Sequence, residues 1–461
     1  MLATLPVDSP KTFMPRLLAL RNFYRTHQSS LHTFVMLASE RVLQMFIGLW
    51  LASQIARNFD HATFVHWQIA MSLWLVFGTI GNITGERILL PLLCAATPAE
   101  LPRLWNTALA AKFVSGILTA VPLVLWSLTL PDPEMLPLSL LWGLQLLINM
   151  PISLSVHEAY ARDDFRTPQI ARIIAMLCRF GVILLVLWLK GPVTWLVWGW
   201  IIEVLVIGLI LCRHWFSQRL FSLHQVDGTL MRTLFGQGAA LAVASAASVA
   251  LSRIDRVTLG TSMPSDVLSQ YAAAMTLLEA AFAFAAMLAT VVGAKTLFRP
   301  EPIDSQQHAG LVVFAGCLAL GVSLILQLVA EPLMTTIYGS AYLDSATYMR
   351  IAAGLLPLVF MQAILQAPLL IRASKSFHLC KALAAFGIGV AIASWAAHHR
   401  LYQWISAGAY FGYLTLMIFD LYELRRRAAE LYEAPRRPAG RRSRHTRHSN
   451  PVQGRAHRER V

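Results

Sequence analysis

Charge is scarce in this chain, and acidic charge is scarcer still. Only 13% of its 461 residues are Asp, Glu, Lys or Arg, and 24 acidic residues stand against 38 basic ones. That charged fraction is about half of what a soluble globular surface carries, so a water-soluble enzyme or binding module is excluded. Cysteine is nearly as rare. The five thiols, Cys94, Cys178, Cys212, Cys317 and Cys380, have no metal-ligand or redox spacing. No Walker A sequence, Gly-rich nucleotide loop or Ser/His/Asp arrangement occurs, which argues against ATP use, a cofactor and a catalytic centre. The His398-His399 pair has no third ligand nearby in sequence, so no metal site is expected.

What the chain has instead is apolar length. Hydrophobic residues make up 56% of it, and the mean hydropathy is +0.57. Apolar segments of membrane-spanning length recur at 31–56, 62–83, 105–130, 135–155, 169–189, 192–212, 234–261, 268–293, 309–330, 350–371, 378–397 and 402–422. The pattern predicts an all-α polytopic membrane protein of about twelve helices. Turn chemistry falls between them, as at Pro131-Asp132-Pro133 and Arg299-Pro300-Glu301-Pro302.

The net charge of +14 does not point to nucleic acid once it is located. From Arg425 to Val461 there are 12 Arg against 3 Glu, with no aromatic or folded recognition element beside them. Such a basic tail reads as a disordered cytoplasmic anchor attracted to anionic lipid. Loop Lys and Arg residues agree: Arg87, Arg103, Arg162, Arg166, Arg213, Arg219, Lys295, Arg299, Arg372 and Lys375 share one side, while the other keeps only Arg57, Lys190, Arg350 and Arg400 beside the acidic Asp132, Glu134, Glu331 and Asp344. Both termini are therefore expected in the cytoplasm. No cleavable signal peptide is expected, and Phe13–Tyr24 reads as an interfacial helix. Trp188, Trp195, Trp198 and Trp200 read as an outer aromatic belt.

A short internal repeat divides the chain. Trp67-Gln68-Ile69-Ala70-Met71-Ser72-Leu73 matches Tyr271-Ala272-Ala273-Ala274-Met275-Thr276-Leu277. The same offset lays the first expected helix over the seventh. The expected units are a cytoplasmic segment 1–30, a six-helix half 31–212, a linker 213–233, a second half 234–424 and the tail 425–461. Parallel halves of this kind commonly hold a transport site between them.

Charges inside the spans are the candidate site residues, because each costs at least a few kcal/mol in hydrocarbon unless a polar cavity or a partner receives it. The basic set is Arg41, Lys112, Arg179, Arg253 and Arg256, and the acidic set is Glu40, Glu203, Asp255 and Glu279. The excess of basic residues suits an anionic headgroup, which guanidinium forks grip in pairs. The acids are candidates for proton or sodium coupling. Gln44, Gln145, Asn149, Gln237, Gln362 and Gln366 form a polar inventory for sugar hydroxyls.

Four stretches carry a family resemblance: Glu40-Arg41 followed by Leu51 to Arg57; Glu158 to Arg166; Arg253-Ile254-Asp255-Arg256-Val257 followed by Tyr271 to Ala274; and Ile337-Tyr338-Gly339-Ser340-Ala341-Tyr342, leading to Ala346 and Arg350-Ile351. Over residues 31–425 the chain resembles the Wzx-like polysaccharide flippases of the multidrug/oligosaccharidyl-lipid/polysaccharide (MOP) exporter superfamily. It departs from their pattern where His66 and Gln270 replace a glycine. The resemblance implies a fold like that of the multidrug exporters (MATE) of that superfamily. It also implies a non-enzymatic flippase in the bacterial inner membrane, moving an undecaprenyl-pyrophosphate-linked oligosaccharide to the periplasmic leaflet for O-antigen, capsule or exopolysaccharide synthesis. Polysaccharide polymerase and synthesis proteins are the implied partners. A multidrug exporter and a membrane-embedded polymerase or ligase are the alternative functions.

Overall fold

In lipid every backbone N–H and C=O must find a partner within the protein, which leaves helices as the natural spanning element for these apolar segments. The computed structural model describes residues 42–130, 132–213, 225–260, 263–296 and 304–432, and every regular element among them is helical. The helices are α1 (residues 42–58), α2 (His61–Gly81), α3 (Glu86–Ala95), α4 (Leu101–Leu128), α5 (Met135–Ala161), α6 (Arg166–Trp188), α7 (Val197–Leu211), α8 (Gly228–Leu251), α9 (Ile254–Leu259), α10 (Ser265–Thr296), α11 (Ser305–Leu328), α12 (Ala330–Tyr338), α13 (Ser345–Ala353), α14 (Leu355–Gln366), α15 (Leu369–Arg372), α16 (Lys375–His398), α17 (Ser406–Arg426) and α18 (Ala428–Leu431). Eleven stretches among the described residues are long and apolar enough to cross a membrane. They coincide with the second to twelfth predicted segments, and α1 is the described part of the first. Residues 1–41, with the expected interfacial helix, and 433–461, with most of the basic tail, lie outside the described residues.

Helix starts follow capping chemistry. Asp60 accepts the Thr63 amide at the head of α2, Asp227 accepts those of Thr229 and Leu230 at α8, Asp304 that of Gln306 at α11, and Ser374 that of Phe377 at α16. The Asp227 cap starts α8 at Gly228, inside the stretch expected to be linker. Under the repeat offset, the first residue of α2 falls on the first residue of α10. Trp67 and Tyr271 are both fully buried.

Within the first half α4 packs on α5 and α6 on α7; within the second α16 packs on α17 and α11 on α14. Helix α8 joins them, lying against α16 of its own half and α2 of the other. The approach is close at Gly238, where a Cβ would stand 1.7 Å from the Ile83 carbonyl oxygen in the 3-10 turn Asn82–Thr84. Only glycine fits there. Large apolar side chains such as Leu209 and Leu328 are about four-fifths exposed, as a lipid-facing surface requires. Trp188, Trp195 and Trp198 are exposed in keeping with a belt, whereas Trp200 turns inward against Trp67 and Trp142.

Candidate functional site

The segment expected as one long helix from Leu234 to Thr261 is broken. Helix α8 ends at Leu251, Arg253 takes φ −128 and ψ 24, and α9 begins at Ile254. The break lets neighbouring side chains point in different directions. Arg253 donates from Nη1 to Ser72 Oγ at 3.2 Å and from Nη2 to Glu279. Arg256 donates from Nη2 to the other oxygen of Glu279, from Nε to Asp255 Oδ2 at 3.0 Å and from Nη1 to Gln68 Oε1 at 3.2 Å. One glutamate is thus clamped by two guanidinium groups. Asp255 pairs with the arginine beside it.

Two cations and two carboxylates leave this cluster neutral, the condition under which charge is tolerated away from water. Asp255 and Arg256 are about 1% exposed. Arg253 and Glu279, by contrast, border a cavity of about 1050 Å³. Its walls come from both halves: Glu86 and Leu90 of α3 on one side, and Ser248 and Ser252, Phe282 of α10, Gln362 and Gln366 of α14, Lys381 of α16 and Tyr413 of α17 on the other. Among the described residues, the charged ones in its wall are Arg253, Lys381, Glu86 and Glu279.

On the face where α2 begins, the halves are pinned together. Ser53 donates to the Ile337 carbonyl, Arg57 donates from Nε to the same oxygen at 2.9 Å and from Nη2 to the Thr336 carbonyl, and His61 bonds Ser269 at 2.7 Å. Tyr342 packs on His61 and Phe64. Gly339, at φ +99, ends α12 and turns the chain so that these carbonyls are presented. Helix positions put Glu86, Gln366 and Lys381 toward the opposite face, where Arg103 pairs with Asp227. Both departures from the family pattern also hold the first-named face: His66 pairs with Asp132 at 2.8 Å, and Gln270 donates to the Ala341 carbonyl at 2.6 Å and accepts from Ser345.

The remaining candidates lie elsewhere. Arg179 pairs with Glu203 at 2.7 Å, joining α6 to α7, and its guanidinium lies 5.0 Å from the Trp200 ring. Lys112 is fully buried and donates to Asn82 Oδ1 at 3.3 Å. None of these three borders the cavity. Glu40 and Arg41 lie outside the described residues. Of the polar inventory, Gln362 and Gln366 reach the cavity, while Gln145 accepts from the Trp74 indole at 2.7 Å. Among the described residues, the one group of three His and acidic donors close enough for a metal ion is His66, Asp132 and Glu134. The charge pair missed by the expected set is Lys381 with Asp420, at 2.6 Å.

Solved structures share this architecture. One entitled "Lipid II flippase MurJ, inward closed conformation" is similar at TM-score 0.66 with 12% identity, over 86% of this chain and 87% of that one. An inward-facing multidrug resistance MATE family transporter of the MOP superfamily gives 0.61 with 13% identity, over 85% and 95%. A MOP superfamily transporter from Pyrococcus furiosus, titled for the reverse polarity of its binding pocket, gives 0.51 with 14% identity, over 86% and 96%. No protein of curated function matches the sequence. The fold is therefore that of the MOP-type flippases and exporters. Within that class, residues 97–347, more than half of the chain, match the family described as "Polysaccharide biosynthesis protein", and the chain belongs to it.

Proposed function

We propose that the protein flips a polyprenyl-pyrophosphate-linked oligosaccharide across the bacterial inner membrane, from the cytoplasmic to the periplasmic leaflet. The observation that carries this reading is the inter-half cavity, with Arg253 and glutamines in its wall, together with the polar closure between the halves on the far face. Its volume of about 1050 Å³ lies at the upper end of ordinary ligand cavities, about 300–1,000 Å³, as a phosphate group with several sugars requires. Transfer of those hydroxyls through bare hydrocarbon would cost several kcal/mol each, and a wet cavity removes most of that barrier.

Placing the basic loops in the cytoplasm makes the cavity open inward and the Arg57 closure periplasmic. Each negative charge carried outward then gains about 2.3 kcal/mol per 100 mV of interior-negative potential. Glu279 is the candidate for proton or sodium coupling that borders the cavity, since its loss of charge would release both arginines. The basic tail would hold anionic lipid, and polymerase and synthesis proteins would receive the product.

The test is the lipid-linked sugar pool in a deletion strain, with leaflets distinguished by an impermeant sugar-modifying reagent. Accumulation confined to the cytoplasmic leaflet is expected. Accumulation in the periplasmic leaflet would mean that the missing step is polymerisation or ligation. An unchanged pool would favour the second reading, export of cationic compounds, which Glu86 and Glu279 in the lining would serve.

A further inference from the structure

Lys381 stands six residues into α16, bordering the same cavity as Arg253 but on a different wall. Its ammonium donates to Asp420 Oδ1 at 2.6 Å and lies 5.6 Å from the Phe377 ring. Asp420, in the last two turns of α17, is fully buried, and its second oxygen accepts from Gln362 Nε2 at 3.4 Å. Gln362 in turn donates to Gln366 at 3.0 Å. The carboxylate is therefore sealed behind the wall, while its cation and both amides border the space.

This arrangement differs from the Arg256 site. Arg256 is enclosed and has Asp255, Glu279 and Gln68 around its guanidinium. An ammonium is a compact charge with three rotatable donors, and one bond to Asp420 leaves the others free to turn toward a ligand. A buried carboxylate cannot follow the ligand into the cavity. A ligand anion therefore competes with Asp420 for the ammonium charge, and the amide bond from Gln362 holds the carboxylate as the ammonium turns toward the ligand.

We propose that Lys381 is a second anion grip in the cavity, held in reserve by Asp420, which takes one phosphate group of the substrate while Arg253 takes the other. This rests on the reading of the cavity as the site of a lipid-linked pyrophosphate. It commits that reading to a diphosphate rather than a monophosphate carrier, because two grips on separate walls need two anionic groups.

Full-length protein in neutral-lipid nanodiscs, titrated with farnesyl pyrophosphate, farnesyl monophosphate and farnesol, tests both levels. Wild type is expected to prefer the pyrophosphate over the monophosphate by about tenfold or more, as one additional charge-assisted contact provides. Asp420→Asn keeps the hydrogen-bond acceptor but frees the ammonium charge, so pyrophosphate affinity should rise. The neutral pair Lys381→Met/Asp420→Asn, which leaves no buried unpaired charge, should lose the preference while still binding both phosphates. Lys381→Arg should restore it in part.

A purely structural ion pair predicts otherwise: no gain in Asp420→Asn and an intact preference in the double variant. That result, with binding weakened by Arg253→Gln, would overturn the second grip alone. Equal, weak binding of all three probes by wild type, unaffected by Arg253→Gln, would overturn the anionic-substrate reading itself.

Discussion

Arg179 and Arg253 invite comparison. Both are arginines within apolar segments, and both are paired with a glutamate on a neighbouring helix. Arg179 leaves an unbroken helix, stacks on Trp200 and meets Glu203 in the interior of the first half. Arg253 sits at a break between two helices, shares Glu279 with a second arginine and borders a cavity. The first pair ties two helices of one half. The second stands where a ligand would have to exchange with it. An ion pair in a membrane span thus marks a constraint by itself, and it is the broken backbone beside open space that makes the second pair the candidate site.

The comparison is broken or sharpened by four experiments. Glu279→Gln leaves Arg253 and Arg256 with one carboxylate in the cluster, Asp255, which bonds Arg256. Removing one partner from a buried ion pair costs about 3–5 kcal/mol. Saccharide export should fall at least tenfold and the thermal unfolding temperature should drop clearly; export near the wild-type level would remove the cluster from the mechanism. Next, a short thiol cross-link between cysteines at Ser53 and Ile337 should halt transport without lowering thermal stability, and cleavage of the linker should restore it. Continued transport in the cross-linked protein would show that this closure does not open during the cycle.

A smaller effect is expected at Asp227. The amides of Leu230 and Thr229 and the Arg103 guanidinium hold its carboxyl below its ordinary value of 3.8. A depressed value stabilises the folded form above that range, and the contribution disappears as pH falls through the folded value. Asp227→Asn should lower the unfolding temperature slightly at pH 7, with the difference from wild type vanishing in acid once the folded carboxyl is protonated. A difference that persists in acid would assign the effect to packing. Smallest of all should be Arg179→Met/Glu203→Leu, since replacing both members of a buried pair by apolar residues is commonly neutral or stabilising. Export should stay within about twofold of wild type. A loss as deep as that of Glu279→Gln would erase the distinction between the two pairs.

Hydropathy made the helices legible because the membrane fixes their length and forbids unpaired backbone in between. It could not show the break at Ser252 and Arg253, since a kinked and a continuous helix contain the same residues. The charge set was legible as residue types, and Arg253, Arg256, Asp255 and Glu279 do come together. Their sorting into cavity wall and buried strut was not, because it depends on helix rotation. Lys381 and Asp420 lie in two of the predicted spans, yet each is near the expected membrane edge, where a charge reads as headgroup-facing. Only the packing of α16 on α17 turns them toward each other. Glu86 was not legible as a wall residue, since it stands on a short helix in a stretch that hydropathy left between the second and third expected spans.

The closure at Arg57 has one further property. Its partners are the carbonyl oxygens of Thr336 and Ile337, which every residue type supplies. Replacing the Thr336 or Ile337 side chain therefore leaves those acceptors in place, and no compensating acid needs to be matched on the second half. The latch is written in side chain on one half and in main chain on the other, so sequence drift can undo it only at Arg57, at Ser53, or at Gly339, whose turn holds the two carbonyls in position.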